Sequence, residues 1–107
     1  MTTQQHQYWV YIVTNPTKTI LYIGVTNNLS LRLQQHYQNK GKELTFAGRF
    51  YCFNLVHFEE FKYIDKAIAR EKQLKKWSRS KKNVLIERLN PQWKFQNSLF
   101  SSNVTET

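Results

Sequence analysis

The hydrophobic and polar positions of the chain fall into blocks with different periods. "YWVYIVT" (Tyr8 to Thr14) is rich in aromatic and β-branched residues, the composition of a strand. "NPTK" follows, with Asn15 and Pro16 in the first two places of a type I turn. "TILYIG" then predicts a return strand, so that Thr14 and Thr19 flank a four-residue hairpin loop. In "NNLSLRLQQHY" the period changes: Leu29 and Leu33 lie one turn apart, and Asn27 or Asn28 can cap the helix they begin. "NKGKELTFAGR" is glycine-bearing and mixed, and is expected to be a loop. "FYCFNLVHF" (Phe50 to Phe58) predicts a third, largely buried strand. A second helix is predicted from about Tyr63 to Trp77, and a third from about Lys81 to Leu89, ending before Pro91.

"PQWKF" is expected to pack back through Trp93, while the polar end of the chain and residues 1–7 are expected to fray. At 107 residues the chain suffices for one core and is too short for two. The pattern therefore predicts an α/β (α+β) sandwich, a three-stranded antiparallel sheet flanked by about three helices. Its domain spans residues 8–93, between a flexible lead (1–7) and a tail (94–107).

Several polar residues fall where this scheme buries side chains. If residues in the hairpin pair so that their numbers sum to 33, Tyr11 stands opposite Tyr22, with Cβ atoms about 5 Å apart. Two facing tyrosines are a common packing pair, but Gly24, two residues on, leaves the same face open beside them. In the first helix Leu29, Arg32, Leu33 and His36 follow the spacing of a single face. A buried polar group is costly unless something occupies it. No carboxylate in this helix can pair with Arg32, and a phosphate from outside suits its guanidinium fork. His36, taken alone, reads better as a satisfied core or boundary histidine. In the second helix, counting about 100° per residue from Ile64, Glu71 falls near −20°, between Ala67 near −60° and Ile68 near +40°. Glu71 in such a stripe is either one half of an i, i+4 pair with Lys75 or a ligand for a hard metal ion.

Charge changes the picture. Sixteen Lys and Arg against seven Asp and Glu give a net charge of +9, which points to a polyanionic partner. The excess is concentrated between Asp65 and Lys82, where Lys66, Arg70, Lys72, Lys75, Lys76, Arg79, Lys81 and Lys82 face only two acids. Such a run suits contacts with a phosphate backbone and carries no preference for base sequence. A single cysteine, Cys52 in an apolar run, excludes an internal disulfide and a cysteine zinc site and reads as a buried, inert thiol. "MTTQQHQ" lacks the pattern of a secretory signal, and no apolar run approaches the roughly 20 residues of a membrane span. A cytoplasmic protein is expected.

Taken together these residues resemble the GIY-YIG nuclease family, especially its small single-domain bacterial members. "WVY" (Trp9 to Tyr11) stands at the first motif, with Trp9 replacing its glycine. "YIG" (Tyr22 to Gly24) is the second motif unaltered. Arg32 and His36 follow at the family's spacing, "AIAREKQLKKW" with Glu71 looks like the metal-carboxylate helix, and "LNPQW" with Asn90 looks like the closing motif. Val25 stands where the excision-repair incision nucleases have a lysine.

The resemblance implies a one-metal, Mg²⁺- or Mn²⁺-dependent endonuclease. Glu71 would hold the ion, Tyr11 with Tyr22 beside it would activate water, and Arg32 would stabilise the phosphate. His36 would orient a phosphate oxygen or the water, and Asn90 would steady the site. All of these except Asn90 are expected to open into one cleft. The implied partner is nucleic acid, DNA before RNA, cut by structure or through a recruiting protein. The rival reading is a non-catalytic nucleic-acid-binding module that retains the fold.

Overall fold

The computed structural model describes residues 7–100. Three strands, β1 (Tyr8–Thr14), β2 (Leu21–Thr26) and β3 (Asn54–Phe61), form an antiparallel sheet in the order β2-β1-β3. Between β2 and β3 lie α1 (Leu29–Gln38) and a single helical turn, α2 (Phe46–Arg49). After β3 come α3 (Ile64–Lys76), α4 (Arg79–Leu89) and a 3-10 turn at Asn97–Phe100. The expected three-stranded sheet flanked by helices is what the chain forms.

Alternation along β1 divides the core in two, because successive side chains of a strand point to opposite faces. Val10 and Ile12 join Ile23, Val56, Ala67, Leu74, Leu85 and Ile86, so α3 and α4 cover that face. Tyr11 and Val13 join Leu29, Leu33, Ala47, Cys52 and Leu55, so α1 and α2 cover the other. Cys52 is buried and free, and burial pushes its thiol up to about 11, in keeping with an inert core residue.

The hairpin loop is longer than expected. β1 ends at Thr14 and β2 begins at Leu21, its direct partner, so residues 15–20 form the connection. The reason is Asn15, whose Oδ1 accepts from the backbone N–H of both Thr19 and Ile20, each at 2.9 Å. Its amide also donates to the hydroxyls of Thr17 and Thr19. A side chain thus replaces the rungs that Thr19 and Ile20 would have made.

β3 starts four residues later than expected. Phe50 and Tyr51 finish the turn of α2, through Phe50 N–H to the Phe46 carbonyl and Tyr51 N–H to the Gly48 carbonyl. At its far end β3 takes in charged Glu59 and Glu60, because each has a partner: Arg70 for the first and the Gln7 amide for the second. The predicted loop at 39–49 contains α2, capped by the Thr45 hydroxyl on Gly48 N–H at 3.0 Å. α4 begins at Arg79 rather than Lys81, because the Ser78 hydroxyl caps it on Lys81 N–H at 3.2 Å.

Residues 94–100 do not fray. Gln96 N–H donates to the Leu55 carbonyl at 2.7 Å, and the Asn97 side chain accepts from Leu55 N–H and donates to the Phe53 carbonyl. Phe100 packs edge-on against Trp9 and Phe58. Residues 1–6 and 101–107, also expected to fray, lie outside the described residues.

Candidate active site

The two tyrosines are set by the hairpin, in a register two residues away from the expected one. Tyr11 stands opposite Gly24 and Val13 opposite Tyr22, so partner numbers sum to 35 rather than 33. A slip of two residues keeps every side chain on its own face. Tyr11 and Tyr22 therefore remain on the same face, as diagonal neighbours with ring centroids 6.5 Å apart. The slip also explains the glycine: the Tyr11 ring lies across Gly24, and a Cβ there would sit 2.6 Å from Tyr11 Cζ.

α1 supplies the next two residues. Its first turn is fixed by Asn28, whose side chain accepts from Leu31 N–H at 3.0 Å, so Asn28 rather than Asn27 is the cap. From that start Leu29, Leu33 and His36 turn inward and are buried, with Arg32 half-buried beside them. His36 Nε2 lies 2.9 Å from the Tyr11 hydroxyl, and its ring meets the Tyr22 ring at 5.5 Å.

Electrostatics define this group. Tyr11 is wholly buried, and burial drives its phenol well above the ordinary range. The Arg32 guanidinium beside it opposes that shift, while Tyr22 and Glu71 add to it. The His36 imidazole is pushed down to about 4, by burial first and then by Arg32, so it is neutral at pH 7. A neutral imidazole with its proton on Nδ1 can accept at Nε2 from the Tyr11 O–H.

Glu71 arrives from the other side. Its helix packs on the opposite face of the sheet through Ala67 and Leu74, while Ile64 and Ile68 are exposed. The buried stripe is therefore centred away from Glu71, which lies on its flank rather than in its middle. Its carboxylate pairs with Lys75 Nζ at 2.5 Å. No hydrogen bond or ion pair among the described residues joins it to Tyr11, Tyr22, Arg32 or His36. Tyr11, Tyr22, Arg32 and His36 share one face, and the charge of Glu71, carried on α3, reaches Tyr11.

Asn90 also stands apart. Its amide donates to the Val56 and Lys94 carbonyls, and its oxygen accepts from Lys94 N–H, all at 2.9 to 3.0 Å. Val56 is the bulged residue of β3, since Ile12 pairs with His57 and Val13 with Leu55. Asn90 therefore satisfies the bulge and ends α4, and its contacts are architectural.

The basic run divides. Arg70 is committed to Glu59 through a two-pronged pair, at 2.8 and 3.0 Å, and lies over the Trp77 ring. Arg79 donates to the Lys18 and Thr19 carbonyls and to Asn83, bracing the hairpin loop. These two guanidinium groups each have partners within the protein. Lys75 is held by Glu71 and Lys81 lies over Trp77. Lys66, Lys72 and Lys76 are exposed and make no ion pair among the described residues, and Lys82 is half-buried.

Two groups were not visible beforehand. One is His57, Glu59 and Arg70, with His57 Nε2 2.9 Å from Glu59 Oε2. Burial pushes the Glu59 carboxyl up, but the hydrogen bonds from His57 and Arg70 outweigh it and hold it at about 2. The other is Phe46 on α2, stacked on Tyr22 with centroids 6.3 Å apart and 25° between the rings. Its position in a glycine-bearing, polar segment gave no periodic signal.

A paired-tyrosine hairpin followed by a helix that carries arginine and histidine defines the class. The GIY-YIG catalytic domain family model matches residues 7–83, and the chain belongs to this family. Its relatives include the UPF0213 protein of Syntrophus aciditrophicus, 40% identical over 85 residues, covering 78% of this chain and 93% of that protein. The UPF0213 protein of Bacillus pumilus is 33% identical over 86 residues, covering 80% and 85%. Among solved structures, the solution NMR structure of a UPF0213 protein from Bacillus halodurans matches with a TM-score of 0.53 and 27% identity, covering 94% of this chain and 99% of that one. Family membership supports a nuclease-type function. Among the described residues no helix is long and apolar enough to cross a membrane.

Proposed function

We propose that the protein is a divalent-metal-dependent endonuclease that hydrolyses phosphodiester bonds in DNA, selected by DNA structure or by a recruiting partner. The observation that carries this reading is the Tyr11–His36–Tyr22 cluster with Arg32 beside it, in a chain of net charge +9. Arg32 has no acidic partner among the described residues, and its planar fork suits the charge that builds on a phosphate under attack. Tyr11 is fully enclosed and burial keeps its proton in place. The part-exposed Tyr22 is therefore the phenol that can meet an attacking water, with Tyr11 and His36 fixing its position.

Mg²⁺ or Mn²⁺ fits the donor set. Among the described residues no three metal-binding side chains converge, so Glu71 would act as a lone hard-oxygen ligand. That suits an ion that keeps most of its water and takes other ligands from a phosphate. Lys75 would have to release Glu71 first. When bound, the ion would polarise the scissile phosphate and assist departure of the leaving oxygen. The test is a panel of branched and single-stranded oligonucleotides incubated with Mn²⁺ or with EDTA. Cleavage of one structure with Mn²⁺ and none with EDTA is the expected result.

The Glu71–Lys75 pair and the placement of α3 favour a second reading, a nucleic-acid-binding module without catalysis. Tight binding across the panel with no cleavage under Mn²⁺ would establish it in place of the first.

A further inference from the structure

The aromatic surface that leads out of the tyrosine cluster has no part in the chemistry above. Tyr22 is stacked on Phe46, and Phe46 meets Phe50 at 4.8 Å. Phe46 is 52% exposed, beside the core of Leu29, Leu33 and Ala47. It is held there firmly. Thr45 caps the turn that carries it, and Gly41 N–H donates to the Gly48 carbonyl at 2.8 Å. Gly48 packs so closely that a Cβ would lie 2.8 Å from the Lys42 carbonyl oxygen. Cations accompany the ring: the Arg49 guanidinium lies over Phe50 in the same turn, and Arg32 lies beside Tyr11.

We infer that Phe46 is a stacking platform for an unpaired nucleobase, the one next to the phosphate that Arg32 and Tyr22 receive. This rests on the phosphodiester reading of the site and adds the residue that selects the substrate. A phosphate seated by Tyr22 leaves its neighbouring base within reach of the ring stacked on that tyrosine. A flat, exposed, preorganised ring beside positive charge is what single-stranded recognition uses, since every base offers a π-face. A base inside a duplex has both faces covered by its neighbours and cannot use the platform. The preference that follows is for a flap, loop, gap or free strand over continuous duplex.

The test measures binding in EDTA, so that no cleavage is required. The probe is a DNA oligonucleotide carrying 2-aminopurine, whose fluorescence is quenched on stacking, beside a duplex of the same sequence. Phe46→Ala should weaken single-strand binding between about 5- and 150-fold and remove the quenching, while duplex affinity stays within twofold. Phe46→Leu keeps apolar bulk for packing and should show the same loss, whereas Phe46→Trp should restore both affinity and quenching. Thermal melts of each variant report the fold. Unchanged single-strand affinity in both Phe46→Ala and Phe46→Leu, or an equal loss on duplex and single strand, would overturn the platform while leaving the nuclease reading in place. Failure of the wild type to bind either probe would overturn both.

Discussion

His36 makes the stability of this domain depend on acid in a way that can be calculated. Its imidazole, 8% exposed and hydrogen-bonded to Tyr11, is held at about 4 by burial and by Arg32, against 6.5 in an unfolded chain. As pH falls below 6.5 the unfolded chain takes up a proton that the folded one refuses until about pH 4. The unfolded state then binds more protons, so stability rises with pH across this window and is lost as pH falls through it. The full difference is about 3 kcal/mol, of which about 2 kcal/mol is spent by pH 5. His36→Gln removes the titration, and its amide can still accept from the Tyr11 hydroxyl. Urea unfolding followed by tryptophan fluorescence at pH 7, 6 and 5 is the assay, with the wild-type minus variant difference isolating His36. The wild type should lose about 2 kcal/mol more than the variant between pH 7 and 5. This lies above the range in which Glu59, held at about 2 against an ordinary 4.5, gives up its own contribution. Parallel pH curves for the two proteins would show that His36 is not a buried neutral imidazole and would remove the electrostatic account of the site.

Glu71→Gln keeps the side-chain size and removes the charge. Cleavage should disappear while stability falls by no more than about 0.5 kcal/mol, since the Lys75 partner is half-exposed. DNA binding should stay unchanged or tighten, and wild-type cleavage would refute the ligand assignment. Gly24→Ala should cost about 1–3 kcal/mol in urea unfolding, because its Cβ meets the Tyr11 ring; an unperturbed midpoint would contradict the packing described. Neutralising Lys72 or Lys76 should weaken binding alike for all DNA sequences and lower the salt slope by about one, as titrations at several salt concentrations will show. The same titrations should give little effect for Lys75, which is already paired.

Much of the fold was legible because it is written in local patterns. Strand composition located β1, the Leu29–Leu33 spacing located α1, and α3 falls within a residue of its predicted ends. Parity carried the site: two tyrosines placed on one face by an incorrect register stay there, since the error was two residues and not one. What was missed depends on tertiary partners. Nothing local says that Asn15 will take two rungs of the hairpin, or that Glu59 will pair with Arg70 eleven residues on. The helical wheel put Glu71 too near the centre, because it weighed Ile64 and Ile68 as inward when the sheet receives only Ala67 and Leu74. Phe46 escaped because a helix of four residues is too short to show a period.

The stretch that follows α4 has a consequence for where this domain can be cut. β3 is an outer strand, and its free side at Leu55 is occupied by Gln96 and Asn97. A chain trimmed to the family boundary at residue 83, or to the closing motif at 93, would strip that cover and leave Leu55 N–H and C=O open beside an apolar run. Open edges of this kind pair with one another between molecules. The terminal turn thus closes the free edge of β3 at Leu55, and a fragment that lacks it is expected to self-associate more readily than the full chain.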